Sequence, residues 1–225
     1  MPRIKNLNSL PVSIAFILVT ATLAVVGCDV EPIPELDPPS ETNKVALAPN
    51  PSETAEAKEE MEPKKIQYSD DAYRQAAMDG NLYIVKTAIE SGMDVDAFSG
   101  DGRTALQLAA FEGQTHVVDF LLDQGAEVNH LDGMGRTALM YAATGPNADA
   151  VKSLLEAEAK VDVADNNEGF TALMFAAAEG QTAVVKLLLE AKAMPELTDK
   201  DGETASIFAA QKGHAEIVKL LGESE

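Results

Sequence analysis

What the sequence is short of sets its first limits. One cysteine, Cys28, occurs in 225 residues, so no disulfide can form within the chain. Tryptophan is absent and aromatic residues make up 5% of the chain, so a packed unit must be built chiefly from aliphatic side chains and alanine. Basic residues are scarce: 17 Lys and Arg stand against 37 Asp and Glu, a net charge of −20. Binding a phosphate backbone requires clustered cations that displace counterions, which argues against a nucleic-acid partner. From Tyr68 onward 27 acidic and 11 basic residues remain, a net of −16. That excess suits a cationic or polar protein partner, and it serves solubility equally well.

Chemistry is thin too. His116, His130 and His214 lie in separate segments, with no neighbouring ligands at zinc spacing. Asp94-Val-Asp96 followed by Ser99-Gly-Asp-Gly102 lacks the glycine and terminal glutamate of a calcium loop. Asp132-Gly-Met-Gly135 is followed by no Gly-Lys-Ser/Thr, so it is no phosphate loop. No serine or cysteine has a base at a recognisable spacing. An enzyme, a metal site and a cofactor are therefore not expected.

The chain opens with Arg3 and Lys5, then runs uncharged from Leu10 to Val26 and closes on Val25-Val26-Gly27-Cys28. A basic start, an apolar run and a small residue before a cut describe a secretory signal peptide. Val-Val-Gly-Cys resembles the lipobox of bacterial lipoproteins, which implies cleavage before Cys28 and acylation of that residue. Buried acyl chains contribute about 0.8 kcal/mol per CH₂, so several of them hold firmly to a bilayer. Asp29 resembles the inner-membrane retention signal of enterobacterial lipoproteins, or is simply the acidic start of a linker. Residues 30–66 carry prolines at 32, 34, 38, 39, 49, 51 and 63 among Glu, Ser, Thr and Ala. Such a composition buries too little surface to offset chain entropy, so a disordered tether is expected there.

Beyond the tether the sequence repeats itself. Thr104-Ala-Leu, Thr137-Ala-Leu, Thr171-Ala-Leu and Thr204-Ala-Ser begin matching segments at spacings of 33, 34 and 33. Counting back 33 from Thr104 reaches a degenerate copy at Asp71-Ala72-Tyr73. Each copy continues with paired alanines, from Ala76-Ala77 to Ala209-Ala210, and then a turn at Gly80, Gly113, Pro146, Gly180 or Gly213. A second apolar stretch follows, such as Val117-Val118 with Leu121-Leu122. This period predicts a short helix capped by Thr, a tight turn and a second helix with apolar residues at i, i+3 and i+4. Glycine suits the left-handed cap after the second helix at Gly92 and Gly125, whereas Glu158 and Lys192 replace it in the third and fourth copies.

This pattern resembles the ankyrin repeat from Tyr68 to Leu221. The resemblance implies an all-α solenoid of about five helix–turn–helix repeats with short β-hairpin loops, preceded by the signal segment and linker. The expected layout is a signal peptide over 1–27, lipidated Cys28 and linker over 28–66, and the repeat domain over 67–225. Repeats fall near 67–98, 99–131, 132–165, 166–198 and 199–225. Gln75 stands where later copies have Leu108, Tyr141, Phe175 and Phe208, which suits a first repeat facing water.

Repeat solenoids bind through a concave face and its loop tips. Carried onto this chain, the resemblance marks Phe98, Asp101, Arg103, Phe111, Glu112, Leu131, Met134, Arg136, Phe170 and Glu179 as protein-contacting, with Glu203 and Lys212 beyond them. Phe98 and Leu131 could equally fold back as packing. The function expected is that of a membrane-anchored periplasmic scaffold or stabiliser of another protein. The alternative is an immunity protein or inhibitor that neutralises a secreted toxin or hydrolase.

Overall fold

The computed structural model describes residues 67–222. The signal-peptide, lipobox and tether expectations, including Cys28, lie outside the described residues. Ten helices follow one another: α1 Asp70–Met78, α2 Leu82–Glu90, α3 Ala105–Phe111, α4 Thr115–Asp123, α5 Ala138–Ala143, α6 Ala148–Glu156, α7 Ala172–Ala178, α8 Thr182–Glu190, α9 Ala205–Lys212 and α10 Ala215–Gly222. They stack as five pairs, with odd helices packing on odd and even on even.

Local chemistry explains where the helices begin. Thr104, Thr137 and Thr171 sit in extended conformation, and each hydroxyl accepts an N–H three residues on, from Gln107, Met140 and Met174. Such a cap contributes about 1 kcal/mol. The first copy differs. Asp71 holds the threonine register yet lies inside α1, which is capped two residues earlier by Ser69. Asp70 and Asp71 then occupy the first turn, where the helix dipole favours negative charge.

Ala76, Ala77, Ala109, Ala110, Ala142, Ala143, Ala176, Ala177 and Ala209 are buried, which lets neighbouring helices approach closely. Leu106, Leu121, Leu139, Leu154, Leu173 and Leu188 fill the core between them. Each such leucine contributes about 1.5–3 kcal/mol by leaving water. Proline at 146, unlike glycine, cannot take a positive φ and disfavours helix in the residue before it, so α5 ends one residue early at Ala143. After α6 and α8 the chain takes the left-handed corner without glycine, at Glu158 (φ 62) and Lys192 (φ 67).

The loops between repeats are hairpin-like, but no strand forms among the described residues. Only isolated antiparallel bridges occur, Phe98 with Thr104 and Thr198 with Thr204. An acceptor at the start of each loop organises it. Asp132 Oδ1 takes the N–H groups of Met134 and Arg136, both at 2.9 Å. In the fourth copy the loop holds one more residue. Asp165 Oδ1 absorbs it by accepting three N–H groups, from Glu168, Gly169 and Phe170. Successive loops are tied together: Gly133 N donates to Asp101 O, Asn166 N to Met134 O and Lys200 N to Glu168 O, at 2.8–2.9 Å.

Candidate protein-binding face

The loop tips carry exposed apolar side chains. Phe98 is 62% exposed, Leu131 51% and Met134 37%. Phe98 and Leu131 hold the same register in consecutive copies, and Ala164 and Thr198 continue that exposed column. Phe98 lies over the His130 ring, with centroids 6.1 Å apart and an interplanar angle of 25°. Its partner is therefore the ring of the next loop, and one face stays open. Aromatic and Met side chains held in water on a fixed backbone are the type enriched at interface cores.

Other marked residues turn inward. Phe170 is half-buried and meets Phe175 and Phe208 edge-on, with centroids at 5.4 and 5.0 Å. It stands directly before Thr171, as Arg136 stands before Thr137, and both side chains cover a ring of the following repeat. Phe111 is half-buried and edge-on to Tyr141 at 6.0 Å. Arg136 Nε donates to Asp165 Oδ2 at 3.1 Å, and its guanidinium covers the Phe175 ring at 5.0 Å. Asp165 has no exposed side-chain surface, so Arg136 neutralises a buried carboxylate and ties two loops together.

Asp101 is exposed on its loop, Glu112 and Glu179 are exposed at the ends of α3 and α7, Glu203 is half-buried and Lys212 is exposed. Arg103 is clamped onto Asp101, with Nε at 2.6 Å from Oδ2. Burial pushes the Asp101 carboxyl upward, but hydrogen bonds from Arg103 and Ser99 outweigh it and bring it down to about 2. The same contact raises the Arg103 guanidinium. Burial and the hydrogen bond to Asp132 hold the Tyr141 phenol well above its ordinary value.

The histidines reach back along the stack. His116 Nε2 lies 3.0 Å from Gly80 O, His130 Nε2 2.9 Å from Gly102 O and His214 Nε2 3.2 Å from Ala178 O. His116 and His214 brace the preceding repeat and His130 braces the preceding loop, a role that sequence reasoning missed. That reasoning also passed over Gln107, whose Nε2 donates to His130 O and Arg136 O at 3.1 and 2.8 Å. A buried glutamine in the register of Met140 and Met174 was the available signal. Among the described residues no group of three or more His, Cys, Asp and Glu is placed to hold a metal ion, and no helix is long and apolar enough to cross a membrane.

A stack of helix pairs with tied loops and an apolar tip column is the architecture of a repeat protein that binds other proteins. The family described as ankyrin repeats (3 copies) matches residues 73–165 and 146–225, and the chain belongs to that family. No curated protein matches the chain.

Proposed function

We propose that this chain is a membrane-anchored envelope protein that holds a partner protein against the loop tips of its first three repeats. The observation that carries the binding site is the exposed column of Phe98 and Leu131, with Met134 beside it on the third-repeat loop. The anchor rests on the Val-Val-Gly-Cys28 motif after an uncharged run, and acylation of Cys28 would fasten the chain to the bilayer. With Asp29 following, the inner membrane facing the periplasm is the proposed location, and the outer membrane or cell surface the alternative. The net charge of −20 favours a second reading, in which the partner is a basic secreted toxin or hydrolase and this chain neutralises it.

Cross-linking pull-down of the tagged full chain from intact cells, read by mass spectrometry, tests the binding face. One protein captured by the native chain and lost with Leu131→Ala plus Met134→Ala supports the reading. Equal capture by the variant rejects the loop-tip face. Capture only after exposure to a competitor's secretions favours the neutraliser.

A further inference from the structure

Arg74 is the buried charge that the fold leaves incompletely used. Its side chain is 7% exposed, and its Nη1 is buried without a hydrogen-bond partner. Its ion partner is Asp71, one turn earlier, whose side chain is 92% exposed and meets Nη2. A buried guanidinium with an unmet N–H group is costly, and native proteins rarely keep one without a reason. Register shows how it arises. Arg74 stands where the second repeat has Gln107, which reaches the following loop and donates to two of its carbonyls. Arg74 is in the same column, yet its Nη1 finds no such carbonyl.

Arg74 lines a cavity of about 460 Å³ between α1 and the loop that begins at Ser99. Arg103 lines it as well, held by Asp101, while Met78 and Leu108 supply apolar wall. Arg74, Arg103 and Arg136 are all the arginines between residues 67 and 222, and Arg136 is taken by Asp165. Two of the three therefore converge on one small space beside the Phe98 tip.

We propose that this cavity receives a single carboxylate side chain from the bound protein, paired with Arg74 and flanked by Arg103. The inference rests on the loop-tip binding reading and adds the chemistry of one contact to it. Guanidinium and carboxylate match as a planar, charge-assisted pair, which no neutral acceptor equals. The apolar wall accommodates the CH₂ stem of the incoming side chain. Charge limits the occupant to one such group. Asp71 and Asp101 already balance the two arginines, and the domain is strongly acidic. The acids further away are screened beyond a Debye length of about 8 Å, so one carboxylate is tolerated locally while an acidic run is repelled. The docking segment is thus a lone Glu or Asp among neutral or basic residues.

NMR titration of the full-length chain in detergent micelles, with N-acetyl-Gly-Glu-Gly-amide and its glutamine counterpart as probes, tests this. The glutamate probe should move the Arg74 and Arg103 signals saturably, and Arg74→Gln should abolish the response. Asp71→Asn removes the internal competitor and should tighten the probe about two- to fivefold, an effect that a merely structural Arg74 would not give. Equal response to the glutamine probe, silence at Arg74 and Arg103, or weaker binding in Asp71→Asn overturns the proposal. In the cellular pull-down, capture that survives Arg74→Gln but fails with Leu131→Ala plus Met134→Ala sinks the cavity and leaves the loop-tip reading standing. Capture indifferent to both sets of changes sinks the loop-tip reading itself.

Discussion

Tyr141 Oη donates a 2.6 Å hydrogen bond to Asp132 Oδ2, joining the third repeat's first helix to the loop that precedes it. The other carboxylate oxygen holds the N–H groups of Met134 and Arg136, so one buried aspartate fixes both the loop and the ring beneath it. Tyr141→Phe leaves that oxygen unsatisfied and should cost about 1–3 kcal/mol in urea unfolding. The phenol's raised pKa stabilises the fold while it stays protonated. That contribution is complete below the ordinary tyrosine value of about 10 and fades as pH rises above it. The phenylalanine variant should lose this part of the alkaline sensitivity. An unchanged midpoint would show that the hydrogen bond contributes nothing net.

Asp101 gives a test at the other end of the pH scale. Its folded pKa of about 2 lies below its ordinary value of 3.8, so its stabilisation is present above the higher value and is lost as pH falls through the lower. The side chain is well exposed, and an exposed pair contributes only about 0.2–1 kcal/mol. Native protein should lose more stability than Asp101→Asn between those two pH values. Parallel curves would show that the Arg103 contact is worth nothing in solution.

Glu158 and Lys192 occupy left-handed corners that Gly125 occupies in an earlier copy, at φ 62, 67 and 85. Relief of the Cβ conflict should make Glu158→Gly and Lys192→Gly each stabilising by about 0.5–1 kcal/mol, against glycine's greater unfolded entropy. Thermal denaturation of the two single variants measures it. A fall in Tm for both would mean that entropy outweighs the strain.

The two loop phenylalanines should behave oppositely. Phe170→Ala removes half-buried packing against Phe175 and Phe208 and should destabilise by about 2–3 kcal/mol, less than a fully buried ring. Phe98→Ala should leave stability within about 0.5 kcal/mol, as for exposed sites. Its effect should instead be on partner capture. If Phe98→Ala is the more destabilising of the two, the open face of that ring is not available for binding.

For the anchor, Cys28→Ala should abolish incorporation of labelled fatty acid and release the chain from the membrane fraction. Continued labelling of the variant would show that acylation, if any, occurs elsewhere.

Much of the fold was legible because each repeat announces its parts locally. The threonine cap, the alanine pair and the glycine turn are read within a dozen residues, and Thr104, Ala109 and Gly113 stand where that reading puts them. The start of α1 was less clear, because Asp71 held the register while Ser69 held the better-placed acceptor. The face of the loops was harder still. Phe98 stands six residues before Thr104 and Phe170 directly before Thr171, two loop registers whose facing depends on residues of the following repeat. The second shares its register with Arg136, and each covers a ring of the next repeat, Phe208 and Phe175. Arg74 was illegible for the same reason: whether a long side chain finds a carbonyl depends on a loop 25 residues further on.

The backbone bonds from Gly133 to Asp101, Asn166 to Met134 and Lys200 to Glu168 join four loops in series. Loops on most proteins must be ordered when they bind, and that ordering subtracts from affinity. Here the ordering was completed when the chain folded. A partner meets a ruler already graduated, and because even the extra residue near Asp165 is taken up inside its own loop, the marks keep their order and recognition should depend on spacing as strongly as on side chains.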